Sequence, residues 1–188
     1  MNGSPPAIAV VGSINMDLVA YTSRAPRAGE TVMGAGFRTA HGGKGANQAV
    51  AAARLGGHVV MIGCVGSDGF GAEMRRTLEQ EGIDVSGVRT VPGPSGVAAI
   101  TVEEGGENRI VVVPGANARL ERLTADDRER IARCRFLLLQ LESPLPVVTE
   151  AARVARAAGV TVMLTPAPAR PLPEELRAAV DWFIPNET

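Results

Sequence analysis

Aromatic side chains are scarce: one tryptophan, one tyrosine and four phenylalanines among 188 residues. No lysine- and arginine-rich run makes up for them, and the formal net charge is −1. A nucleic-acid surface needs a basic stripe, so these two absences argue against one. Cysteine is equally rare. Cys64 and Cys134 are the only two, each in or beside an apolar segment. Two lone thiols make no disulfide framework and suggest a reducing compartment. Long apolar runs are missing as well. Nothing reaches the length of a membrane span, and Met1-Asn2-Gly3-Ser4-Pro5-Pro6 has neither the basic nor the apolar region of a secretory leader. The expectation is a cytoplasmic protein with no nucleic-acid or membrane partner.

Glycine (22) and proline (13) are plentiful. They fall between apolar runs, as loop chemistry does. Continuous apolar runs at 8–11, 59–65, 136–140, 160–164 and 182–184 predict strands covered on both faces. Segments 45–55, 70–80, 146–158 and 174–180 predict helices, two of them stopped by Gly56-Gly57 and Gly159. Strand and helix alternate, which predicts a three-layer α/β fold with a mostly parallel sheet. Ligands of such sheets sit at the carboxyl ends of the strands. Two stretches break the alternation. One is 18–38. The other is 97–113, where two strand-like runs flank Gly105-Gly106 and predict a hairpin. Together they suggest a small second sheet acting as a lid, with inserted segments at about 18–40 and 96–113 in a domain spanning 7–188.

Two motifs carry the chemistry. Gly12-Ser13-Ile14-Asn15-Met16-Asp17 places an Asn-x-Asp turn after the first strand. His41-Gly42-Gly43-Lys44-Gly45-Ala46-Asn47-Gln48-Ala49 runs glycines straight into an alanine-rich helix. A helix start with bare backbone N–H groups binds oxygens closely. Asp17 and Glu142 accept hydrogen bonds when ionised, while Asn15 and Asn47 both donate and accept. That combination suits a polyol. Lys44 is followed by Gly45, so this is no Walker loop. The turn after 8–11 lacks the Gly-x-Gly-x-x-Gly of a dinucleotide site. His41 and His58 have no partners at metal-ligand spacing and read as structural.

Further segments, Gly115-Ala116-Asn117, Gln140-Leu141-Glu142-Ser143-Pro144, Pro166-Ala167-Pro168-Ala169-Arg170 and Pro185-Asn186-Glu187-Thr188, complete the pattern. With them the sequence resembles the ribokinase-like (phosphofructokinase-B type) sugar kinases along essentially its whole length. The resemblance implies transfer of the ATP γ-phosphate to O5 of D-ribose, with Mg²⁺, a monovalent cation such as K⁺, and a homodimer paired through the lid. It implies that Asn15, Asp17, Gly42, Gly43, Lys44, Asn47 and Glu142 hold the sugar, Lys44 lying near the transferred phosphate. Ala98, Ile100 and Ile110 match apolar lid contacts. Asn186 opens the family's Asn-x-x-Glu motif near the ATP phosphates.

The family's Gly-Ala-Gly-Asp segment, which carries the catalytic base and anion hole, does not occur in the sequence. No catalytic base is therefore expected within the chain, which reads as about the first three-fifths of a family-sized enzyme. It is expected to be inactive alone and to expose an apolar edge. Thr165 stands where the pattern usually has Asn. Kinases of another sugar or a nucleoside (fructose, adenosine) and a non-catalytic sugar-binding or dimerising module are the alternatives.

Overall fold

The computed structural model of the chain describes residues 7–186. Strands are numbered along the chain. A six-stranded sheet contains β1 (Ala7–Val11), β4 (His58–Gly66), β5 (Asp84–Val91), β8 (Phe136–Leu139), β9 (Thr161–Leu164) and β10 (Trp182–Phe183). Their order is β10-β9-β8-β1-β4-β5, and every pairing is parallel.

The apolar runs are continuous because both faces of this sheet are covered. Along β1, Ala9 and Val11 face one core while Val10 faces the other. Along β4, Ile62 and Cys64 alternate in the same way with Met61 and Val65. Helices α1 (Lys44–Arg54) and α2 (Gly69–Gln80) cover the face of Val10 with Ala46, Ala49, Met74 and Leu78. Helices α3 (Ala125–Ala132), α4 (Leu145–Ala157) and α5 (Glu174–Ala179) cover the other face, together with a 3-10 turn at Gly115–Arg119. Trp182, Phe183 and Ile184, on and just after edge strand β10, are about half exposed or more.

A second sheet takes β2 (Asn15–Thr22), β3 (Gly36–Gly42), β6 (Gly96–Glu103) and β7 (Asn108–Val113) in the order β3-β2-β6-β7. The β6–β7 pair is the expected hairpin. Its root is tied to the main sheet by Asp68. That carboxylate caps α2 through the Gly71 N–H at 2.8 Å, and it also accepts from the Ser95 N–H (2.8 Å) and hydroxyl (2.6 Å). Burial raises the Asp68 pKa, but these hydrogen bonds outweigh it and hold the group below its ordinary value.

Three features differ from the sequence expectation. Asn15 to Asp17 is not a turn. It is the start of β2, held extended because Asn15 pairs with both Gly42 and Gly96, and Asp17 with both Ala40 and Ala98. Strand β5 has no apolar run: Val85, Gly87 and Val88 are its buried residues, with Ser86 between the first two and Arg89 and Thr90 after the last. Five of the eight residues of helix α3 are charged. It is defined by a capping box in which the Thr124 hydroxyl accepts from the Asp127 N–H and the Asp127 carboxylate accepts from the Thr124 N–H.

Candidate functional site: a polar hollow under the second sheet

The β1–β2 link, the β3–α1 junction and the segment after β8 meet at the carboxyl end of the main sheet. Between them and the second sheet lies a hollow of about 130 Å³. Asn15, Asp17, Gly43, Lys44, Asn47 and Glu142 line it from below. Ala98, Ile100, Ile110 and Val112 line it from the second sheet. The last four form two cross-strand pairs, Ala98 with Val112 and Ile100 with Ile110, on one sheet face. Val112 is absent from the sequence expectation, although its two-residue spacing from Ile110 puts it on the same face.

Glu142 organises the floor. Its Oε2 accepts from the Ser13 hydroxyl at 2.6 Å and from the Lys44 N–H at 3.0 Å. Its Oε1 accepts from Lys44 Nζ at 2.7 Å. Burial pushes the Glu142 pKa up, but the bonds from Lys44 and Ser13 overcome it and leave the group below its ordinary value. The Asp17 carboxylate accepts no hydrogen bond among the described residues. Burial first, then the nearby Glu142 charge, raise its pKa, and Lys44 offsets part of this.

The start of α1 is not bare. The Lys44 N–H goes to Glu142, the Gly45 N–H to the Ser13 hydroxyl (3.3 Å), and the Ala46 N–H to the Ser13 carbonyl (2.9 Å). Buried donors demand partners, and this chain supplies its own. Ser13 is thus a site residue that spacing alone did not single out. Gly43 is obligatory at the junction. Its φ is +90°, and a Cβ would lie 2.8 Å from both the Asn15 nitrogen and the Ser13 oxygen.

Gly42 does not line the hollow among the described residues. It ends β3 directly behind Asp17, where a Cβ would fall 2.4 Å from Oδ2. Its lack of a side chain makes room for that carboxylate. Asn186 is also outside the hollow, past β10 and three strands from β1. Glu187 and Thr188 of its motif lie outside the described residues. Thr165 accepts from Gln48 Nε2 at 3.1 Å, and Gln48 in turn accepts from Gln140 at 2.5 Å, a chain of side chains that does not line the hollow. His41 lies 3.1 Å from Glu73 and 3.3 Å from Thr77, on the exposed flank of α2.

Known proteins resemble this chain along nearly its whole length. Ribokinase of Schizosaccharomyces pombe is 46% identical over 96% of this chain and 59% of its own length. Ribokinase of Haemophilus influenzae is 46% identical over 96% of this chain and 60% of its own. A structure of Arabidopsis thaliana ribokinase complexed with ribose and ATP superposes with a TM-score of 0.89 at 34% identity, covering 97% of this chain and 61% of that one. The chain therefore spans about three-fifths of the length of these relatives. The pattern of the pfkB family carbohydrate kinases matches residues 6–188, nearly the whole chain, and to that family this protein belongs.

Proposed function

We propose that this chain forms the sugar-holding and lid-bearing part of a ribokinase, an enzyme that moves the γ-phosphate of ATP to O5 of D-ribose. The observation that carries the reading is convergence. Two acids, two carboxamides and one ammonium, drawn from three separate stretches of sequence, line one small hollow under an apolar roof. A pentose has alcohols for the first set and a carbon face for the second.

On this reading Asp17 accepts hydrogen bonds from sugar hydroxyls, and Asn47 pairs with a further alcohol. Glu142 keeps one acceptor position on Oε1 beyond its bond to Lys44. Lys44 stands at the rim of the hollow, where a cation steadies an incoming phosphate. Closure of Ile100, Ile110 and Val112 over the sugar excludes water, which would otherwise compete for the phosphoryl group. The described residues' part is binding and orientation, which is much of what phosphoryl transfer requires.

ATP use and the place of Asn186 near its phosphates belong to the same proposal. Among the described residues no group of three His, Cys, Asp or Glu stands ready to hold a metal ion. Mg²⁺ and a monovalent cation such as K⁺ belong to the proposal for the full-length enzyme, and no step is assigned to either ion here. A homodimer through the lid fits the far face of the second sheet, where Phe37, Val111 and Val113 are more than half exposed. Among the described residues no helix is long and apolar enough to cross a membrane. A cytoplasmic setting is part of the proposal.

Thermal shifts with D-ribose, D-fructose and adenosine test the substrate. Ribose is expected to raise the melting temperature most. A larger shift from fructose or adenosine would move the assignment to another kinase of the family. The 188-residue chain is expected to bind sugar without turning it over, and ADP release dependent on both ATP and ribose would contradict that part.

A further inference from the structure

Asn117 sits one layer behind the hollow and is 2% exposed. Its amide is fully engaged. Oδ1 accepts from the Ile14 N–H at 2.9 Å. Nδ2 donates to the Ile14 carbonyl at 3.2 Å and to Asn15 Oδ1 at 2.7 Å. The polarity of the Ile14 peptide is fixed, so it dictates which end of the Asn117 amide carries oxygen. Turning that amide over would set donor against donor and acceptor against acceptor. The remaining Asn117 proton points to Asn15, which must meet it with oxygen. Nδ2 of Asn15 is the atom left over. It has no hydrogen-bond partner among the described residues, and Asn15 lines the hollow. Gly96 makes room for the pair. A Cβ there would lie 2.1 Å from Asn117 Nδ2 and 2.3 Å from Asn15 Oδ1.

We propose that Asn117 is a positioning residue that pins Asn15 as an obligate hydrogen-bond donor toward the ligand. The inference rests on reading the hollow as a polyol site. A carboxamide free to turn over would serve a ligand donor or a ligand acceptor equally, whereas a pinned one serves only an acceptor. Asp17, two residues along the same strand face, serves only a donor. The two side chains therefore ask opposite roles of two ligand groups. Hydroxyls meet both demands. A ligand with an ether or carbonyl oxygen facing Asp17 fails, and so does an ammonium facing Asn15.

The test is side-chain amide NMR on the ¹⁵N-labelled chain, with and without D-ribose. Asn15 and Asn117 are equally buried, at 2% exposed, so bonding alone sets the contrast: in the free chain the Asn15 amide protons should exchange with water at least about tenfold faster than those of Asn117, which are bonded. Ribose should shift and protect the Asn15 pair. In Asn117→Asp an acceptor replaces the pinning donor, so Asn15 should turn over. Its protons should become protected in the free protein, and ribose affinity should fall by about tenfold or more. Protected Asn15 protons beside exchanging Asn117 protons in the parent chain would overturn the proposal, even if the variant does not fold. A folded variant with unchanged Asn15 exchange and unchanged ribose affinity would overturn it too. If the exchange contrast holds but ribose moves no resonance of the hollow, the polyol reading fails while the pinning of Asn15 stands.

Discussion

In the six-stranded sheet, β1, β4 and β8 carry apolar side chains on both faces, and the neighbouring helices cover both. The four-stranded sheet turns one face to a polar hollow and leaves much of the other exposed. The first sheet therefore holds the fold, and its residues answer mainly to packing. The second holds a ligand-sized space, and its residues answer to hydrogen-bond direction. Where the two meet, at Ser13 to Asp17 and Gly42 to Lys44, polar groups are buried and every one needs a partner.

Substitutions sharpen this contrast, beginning with the largest effect. Leu139 on β8 is fully buried, so Leu139→Ala should cost about 2–5 kcal/mol in urea unfolding. Ile110→Ala on the second sheet, at a side chain 51% exposed, should cost about 1 kcal/mol or less while weakening sugar binding. Equal losses at the two positions would break the comparison.

At the seam, Ser13→Ala removes a donor from Glu142 and an acceptor from the Gly45 N–H. A loss of about 1–3 kcal/mol is expected, and the Glu142 pKa should move up, because burial is then less opposed. NMR titration of the Glu142 carboxyl reads the second effect separately from stability.

Acidification should affect the two sides of the seam differently. Glu142 and Asp68 have folded pKa values below their ordinary ones. Their stabilisation is whole above the usual carboxylate range and is lost as pH falls through the lowered values. Asp17 is raised, so the folded chain holds its proton more tightly than the unfolded chain does. Its charge weakens the fold at neutral pH, and protonation relieves that. Asp17→Asn should therefore be the more stable protein at about pH 7, with the difference shrinking by about pH 4, while binding sugar poorly. A variant less stable than the parent at neutral pH would show that the Asp17 charge has a partner. The smallest effect belongs far from both sheets' seam. Arg133 and Glu129 pair on the exposed side of α3, and Arg133→Ala should change neither stability nor binding measurably.

The main sheet was legible because burial on both faces writes itself as continuous apolar runs. Strand β5 was not, since its two buried apolar side chains, Val85 and Val88, are separated by Ser86 and Gly87 and fit neither a continuous run nor a period of two. Helix α3 has little apolar signal, and only the Thr124-to-Asp127 spacing marks where it starts. In the hollow, Asn15, Asp17, Asn47 and Glu142 stood out because polar side chains at strand and helix ends invite a ligand. Asn15 and Asp17 read as a turn in the sequence because their types favour turns. Pairing on both sides of β2 overrides that preference. Ser13 and Asn117 escaped notice as site residues for a different reason. Their work is to orient Glu142 and Asn15, and an orientation across 129 or 102 residues of chain leaves no local periodicity.

The central claim is that Asp17, Asn47 and Glu142 grip one polyol inside a shared hollow. Its most direct test is calorimetric titration of the chain with D-ribose, for the parent and for Asp17→Ala. The account predicts saturable binding by the parent and its loss in the variant, with both proteins folded. No binding by the folded parent, or equal binding by the two, would contradict it.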